Sequence, residues 1–229
     1  ASCIDEALRQ IVASGCSLDE VAILDNFCWG NPDKPDRLGS LVRASYGCYD
    51  TAKALGVPFI SGKDSLYNEF TVKGKSISIP GTLLISAIAV MKDVRKCVSM
   101  YLKEPGNLIY TVGCTYDEMG GSHYYDLYSC TGNSVPKVYP KYAKNIFNAL
   151  NKATDSGLIR SMHDCSDGGL GVAAAEMSFS GGLGADLFIS EVPYKIQNSR
   201  IKNHNLRNDF MLFSESNSRF VVEVEKRNQ

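Results

Sequence analysis

Net charge is the first thing this chain lacks. Its 24 basic and 25 acidic residues leave a formal charge of -1 over 229 residues, so no electrostatic argument favours nucleic acid or an anionic membrane as a partner. No apolar run reaches the roughly 20 residues of a membrane-crossing helix, and no charged segment followed by an apolar one opens the chain as a secretory signal would. Histidine is scarce, with three residues, and none of the eight cysteines (Cys3, Cys16, Cys28, Cys48, Cys97, Cys114, Cys130, Cys165) forms a C-x-x-C pair. A zinc site is therefore poorly supported. A chain this long does not need disulfides to hold a core, which points to reduced thiols and a cytoplasmic location. What is present, 44% hydrophobic and 21% charged residues, is the composition of a globular protein with one large domain or two small ones.

The pattern alternates along the chain. ASCIDEALRQIVASG places Ile4, Leu8, Ile11 and Val12 at helical spacing, which predicts a helix over about 4–14 ending at Gly15. DEVAILDNFCWG reads as a short strand running into a turn at Gly30-Asn31-Pro32. Residues 37–55 read as an amphipathic helix with Leu38, Leu41, Val42, Tyr49, Ala52 and Leu55 on one face and Gly56 as its C-cap. VPFIS is a strand, FTVKGKSISI a hairpin turning at Lys73-Gly74, and TLLISAIAVM a buried strand. The composition shifts at 93–106, which divides the chain into candidate domains at 1–95 and 96–229. The second begins with the strand NLIYTVG and the loop DEMGGSHYYD, followed by a helix at about 140–153. LIRSMHDCSDGGLGVAAAEMSFSGG then reads strand, glycine turn, helix, and ADLFIS and the strand SRFVVEV close the chain. Residues 193–212 are expected to be an exposed, irregular excursion. A helix with no lead-in and a strand with no sequel suggest a segment of a longer polypeptide, truncated at the N-terminus and at the C-terminus.

Three constellations could carry chemistry. In HDCSDGGLG (163–171), Asp164 and Ser166 sit at a strand end, and the glycines turn the backbone into a helix whose free N–H groups suit phosphate. The plainer reading is an aspartate capping a helix. In IDEALRQ, Glu6 and Gln10 lie four apart on one helix face, where a carboxylate and an amide could ligate a hard cation or simply face solvent. In PFISGKDSLYNEF, the residues Gly62-Lys63-Asp64-Ser65 end one strand while Asp25 ends another, and such strand ends converge on one crevice in an open α/β sheet. There, Lys63 can meet a phosphate, Asp64 or Asp25 a metal or ribose, and Ser65 a substrate oxygen. GKDS lacks the first glycine of a Walker A loop, so that motif does not apply.

In order, the blocks DEALRQIVASG, LDNFCWGNP, PFISGKDSLYNE, IPGTLLISAIAV, EMGGSHYY, HDCSDGGLGVAAAEM and LFSESNSRFVVEV closely resemble the phosphoribosylformylglycinamidine synthase family, and specifically the C-terminal half of its synthetase region. The resemblance covers the chain except 193–208. It implies the two-domain fold of aminoimidazole ribonucleotide synthetase, an α/β domain followed by an α+β domain. It also implies ATP-driven conversion of formylglycinamide ribonucleotide to the amidine with glutamine-derived ammonia, with Mg²⁺ and ATP or ADP bound.

Carried over by position, the family's ATP contacts fall on Asp25 and Gly62 and its substrate serine on Ser65. The asparagine that helps hold Mg²⁺ in that loop is Lys63 here, with Asp64 the nearest replacement. A second, non-turning-over nucleotide in one branch of the family implies metal roles for Glu6 and Asp164 and nucleotide contact by Ser166, with Gln10 an imperfect match. The family's catalytic histidine has no counterpart in His123, His163 or His204, so no catalytic residue is assigned. The implied partners are the N-terminal half of the enzyme and a glutaminase domain or subunit. Without that half, a homodimer is expected, pairing the strands SISIP and TLLISAIAV. Two other readings remain: another ATP-using enzyme of the same superfamily, and a nucleotide-binding module that only braces its partner half.

Overall fold

A computed structural model describes residues 1–197 and 206–228. In chain order the elements are α1 (Ser2–Ala13), β1 (Val21–Cys28), α2 (Pro35–Leu55), β2 (Phe59–Gly62), β3 (Glu69–Val72), β4 (Lys75–Ser78), β5 (Thr82–Ala89), β6 (Leu108–Val112), β7 (Thr115–Tyr116), α3 (His123–Asp126), α4 (Pro140–Asp155), β8 (Ile159–Asp164), α5 (Gly169–Gly181), β9 (Tyr194–Lys195), α6 (Asn208–Phe213) and β10 (Phe220–Val224). Two three-stranded sheets organise them. One has the order β2-β1-β5, with β1 parallel to β2 and antiparallel to β5. The other has the order β6-β10-β8, antiparallel throughout.

Helix α1 lies between the sheets because its apolar stripe serves both. Ile4, Leu8 and Val12 are essentially fully buried and share one core with Val21, Ile23 and Ile85 of the first sheet and Met162, Phe220 and Val222 of the second. Their four-residue spacing stacks them on one side of the helix. The same core takes the apolar face of α4, whose Phe147 meets Phe220 edge-on at 5.9 Å between ring centroids. The core therefore crosses from residues 1–95 into residues 96–229.

Several sequence expectations hold. Helix α2 ends at Gly56 in the left-handed conformation, and the β3–β4 turn is Lys73-Gly74, both at positive φ. Others need correction. TLLISAIAVM is not a buried strand: β5 alternates, with Leu84 and Ile88 about 60% exposed on a sheet face that no described element covers. Leu38, Val42 and Tyr49 of α2 are exposed as well, since the buried part of that helix is its C-terminal half, at Cys48, Thr51, Ala52 and Leu55. ADLFIS joins no ladder. Of the expected excursion at 193–212, residues 198–205 lie outside the described residues. The remainder is not exposed throughout, because Leu206 and the α6 residue Met211 bury themselves in a second core with Leu170, Ala173 and Met177 of α5.

The segment that crosses between the sheets is fixed by one carboxylate. Glu223 of β10 is wholly buried and accepts from Lys103 N (2.8 Å), Glu104 N (3.2 Å), Asn107 Nδ2 (2.7 Å) and Ser161 Oγ (2.8 Å). Burial alone would push this carboxyl up, but the bonds from Asn107, Ser161 and the two backbone amides hold it below the usual carboxylate range. Glu223→Ala is expected to cost about 3 kcal/mol in urea unfolding, because several buried donors lose their acceptor. The carboxylate's contribution is complete above its unfolded value of about 4.3 and is lost as pH falls below it. Glu223→Gln should accordingly flatten the acid limb of a stability–pH profile.

Candidate functional site

The first cluster forms where β1 and β2 end side by side. Their parallel register sets Asp25 opposite Gly62, and the Asp25 carboxylate lies directly over that glycine. A Cβ at Gly62 would come within 2.6 Å of Asp25 Oδ1, so the close approach requires glycine. Beyond the strand the loop stays laced to β1: Lys63 N donates to Asp25 O at 3.0 Å, Ser65 N to Phe27 O at 2.7 Å, and Trp29 N to Ser65 O at 2.9 Å. Asp64 Oδ1 accepts from Phe27 N at 3.3 Å, and the Lys63 ammonium bonds the Ser65 hydroxyl. The structure thus brings Asp25, Gly62, Lys63, Asp64 and Ser65 together. Burial first, and then the neighbouring Asp64 carboxylate, push the Asp25 carboxyl above its usual range. Two facing carboxylates beside an ammonium can receive a hard cation and an anionic group together.

This loop is propped by the blocks that flank it. Glu69 accepts from Asn31 N at 2.8 Å and from Lys34 Nζ at 3.3 Å, and it bonds Arg37 and Ser76. Tyr67 Oη donates to Asp33 Oδ2 at 2.8 Å. The bond from Ser76 and the Asn31 amide hold the Glu69 carboxyl down at about 2. The stretches GNPDKPD and SLYNE therefore interlock and set the position of the loop.

The second cluster lies at the end of β8, in the other sheet. Asp164 is 2% exposed. Its Oδ1 accepts from Gln10 Nε2 at 3.0 Å, and its Oδ2 accepts from Ser166 Oγ at 2.6 Å and Arg9 Nε at 3.4 Å. Burial would raise this carboxyl, but bonds from His163 and Ser166 and the Arg9 charge bring it below its usual range. Glu6, expected here as a metal ligand, is exposed. Its carboxyl is nonetheless partly desolvated and is raised by that, and then by Asp167, Asp164 and Asp5, against the pull of Arg9. At the α5 N-terminus one N–H is already taken, since Gly168 N donates to Glu215 Oε1 at 2.9 Å.

Sequence reasoning missed Arg9, Glu215 and Asn217. The i,i+4 spacing of Asp5 and Arg9, on the margin of the α1 apolar stripe, was the one local signal for the first of these. Of the histidines, His163 bonds Glu176 Oε2 at 2.9 Å and the Asp164 carbonyl at 2.8 Å, while His204 lies outside the described residues. A cavity of about 560 Å³ beside β6, and another of about 390 Å³ next to it, contain none of the expected site residues. If Asp64 raises Asp25 as the geometry requires, Asp64→Asn should lower the Asp25 pKa toward the ordinary aspartate value. Carboxyl NMR titration reads this directly, and an unmoved Asp25 would refute the coupling.

Residues 104–229 match the family model of the AIR synthase related protein, C-terminal domain. Two curated relatives are PurL subunits of phosphoribosylformylglycinamidine synthase. That of Methanococcus aeolicus is 33% identical over 97% of this chain and 29% of its own length, and that of Methanocaldococcus jannaschii is 32% identical over 99% and 30%. The chain thus spans less than a third of the length of the curated relatives it matches. Among solved structures, T. maritima PurL complexed with FGAR superposes with a TM-score of 0.71 at 19% identity, over 98% of this chain and 34% of that one. E. coli HypE, a hydrogenase maturation protein, does so with 0.65 at 14%, over 98% and 64%. Sequence and fold agree that the chain belongs to the AIR synthase-related family.

Proposed function

We propose that this chain is part of a phosphoribosylformylglycinamidine synthase, a ligase of purine biosynthesis that uses ATP and glutamine-derived ammonia to convert formylglycinamide ribonucleotide to the amidine. The observation that carries this reading is the 33% identity to a PurL subunit along nearly the whole chain. The first cluster suits the chemistry. Asp25 and Gly62 would bind ATP, Ser65 would contact substrate, and Asp64 with Asp25 would face Mg²⁺, whose charge would relieve the repulsion between the two carboxylates. Lys63 adds a cation for a phosphate. The demand of the reaction is to hold two anionic substrates together and neutralise charge as it develops. Ser166 remains a nucleotide contact of the second cluster in this reading.

The proposed partners are the N-terminal half of the enzyme and a glutaminase domain or subunit, in the cytoplasm. No described helix is long and apolar enough to cross a membrane. The alternative reading is a nucleotide-binding module that only braces its partner half. Mixing the chain with the partner half, ATP, Mg²⁺, ammonia and formylglycinamide ribonucleotide separates the two readings. An enzymatic role predicts no turnover by the chain alone, turnover on mixing, and at least a tenfold loss with Gly62→Ala, which displaces Asp25. Full activity of the Gly62→Ala mixture would favour bracing.

The outer face of the first sheet bears on partners. Ile60, Leu84, Ile88 and Val90 are each 58–62% exposed, and exposed apolar side chains grouped on a sheet mark a surface that another chain can cover. With no partner half present, two copies would cover it by a twofold contact of about 1,000 Å² or more. Light scattering should give a dimer of the 25.0 kDa chain that Leu84→Lys dissociates. A clean wild-type monomer at high concentration would refute this.

A further inference from the structure

The Asp164 cluster has the residue types of a metal site, but its donors face the wrong way for one. Asp164 uses both oxygens to accept, from Gln10, Ser166 and Arg9. Gln10 presents its amide nitrogen, a donor, where a metal ligand would present oxygen. The Arg9 guanidinium, on a residue 3% exposed, also bonds Asp5, Asn217 Oδ1 at 3.0 Å and Ser166 Oγ at 3.1 Å. Asp5 is completed by Ser218, whose N and Oγ donate at 3.0 and 2.5 Å. Both carboxylate oxygens of Asp5 and of Asp164 accept from within the network.

Mg²⁺ demands near-octahedral oxygen ligands at about 2.1 Å and gives up its water reluctantly. To enter here it would have to expel a buried guanidinium and leave that charge uncompensated, which is strongly unfavourable. We infer that Arg9 is itself the cation of this cluster, which is a closed, metal-free clasp joining α1 to the end of β8 and the chain before β10. The Glu6–Gln10 face and Asp164 then take no divalent cation, with or without nucleotide. This holds independently of what the Asp25 loop binds.

Mn²⁺ is a suitable probe, because it broadens NMR signals of nearby protons and His163 Nδ1 is 3.5 Å from Asp164 Oδ1. With the whole chain and millimolar Mn²⁺, with and without ADP, the His163 ring signals should keep their linewidths. Mn²⁺ binding that is lost in Asp64→Asn but kept in Asp164→Asn would place the metal at the other cluster and support the clasp. Broadening of His163 that disappears in Asp164→Asn would overturn it. The second arm is Arg9→Met, which keeps the aliphatic bulk but strands two buried carboxylates. Its melting temperature should fall by about 5 °C or more, and a variant as stable as the wild type would also overturn the clasp. Should Arg9→Met fail to fold, the Mn²⁺ arm on the wild-type chain still decides.

Discussion

Two sheets from distant parts of the chain share one core in which helix α1 packs against both, and the buried charge on that helix sets its seat. Apolar packing of Ile4, Leu8 and Val12 explains why α1 is buried but leaves its rotation and axial position loosely specified, because hydrophobic contact is non-directional. The pairing of Asp5 and Arg9 with Asp164, Asn217 and Ser218 is directional. A slip of one residue along α1 would turn Arg9 away from β8 by about 100° and leave buried carboxylates without donors. Such a network contributes little net stability compared with an apolar substitute, yet it makes alternative placements costly. Specificity of docking, more than strength, is what it supplies.

The strand ends show the complementary condition. At the first sheet, Gly62 lets the Asp25 carboxylate lie against the backbone of β2, and Asp64 is brought close enough to push it up. Like charges placed together with no arginine between them are an unfavourable arrangement that a cation or a proton would relieve. At the second sheet the same residue types are already neutralised by Arg9. One fold thus carries two carboxylate clusters in opposite states, one compensated from within and one left open. Functional sites tend to be where local rules are broken, and the open cluster is the one that breaks them.

Much of the fold was legible because its signals are local. The α1 stripe, the Lys73-Gly74 hairpin, the Gly56 cap and the strand ending at Gly62 each depend on residues within a few positions of one another. The errors came where burial depends on what lies across space. In β5, TLLISAIAV is apolar on both faces, so the sequence cannot say that one face is left uncovered. The apolar face of α2 likewise outruns the surface that α1 and α4 provide. Leu206 stands among polar residues, and Met211 sits in the apolar run Phe210–Phe213, which is too short to show a period, yet α5 offers them a core. In the candidate sites, the loop at Gly62–Ser65 was readable as a displayed strand end. The partners of Arg9 lie 155 and 208 residues away in the chain, and no local pattern encodes that meeting.

Glu215 extends the same logic to the glycine turn before α5. A helix start with glycines at 168 and 169 has unsatisfied N–H groups that attract an anion. The chain provides one itself, since Glu215 Oε1 accepts from both Gly168 N and His123 N, at 2.9 and 3.1 Å. Gly169 must be glycine for a related reason: a Cβ there would meet the Ser214 carbonyl at 2.4 Å, so the backbone carrying Glu215 is packed directly against the turn. The carboxylate is therefore held in place by its own main chain, and an incoming phosphate would have to displace it against that packing. A glycine turn that looks like an anion-binding loop in sequence can thus have part of its donor set taken by the chain's own carboxylate. The deciding feature is how closely a second segment approaches the helix start, and that approach becomes visible only in three dimensions.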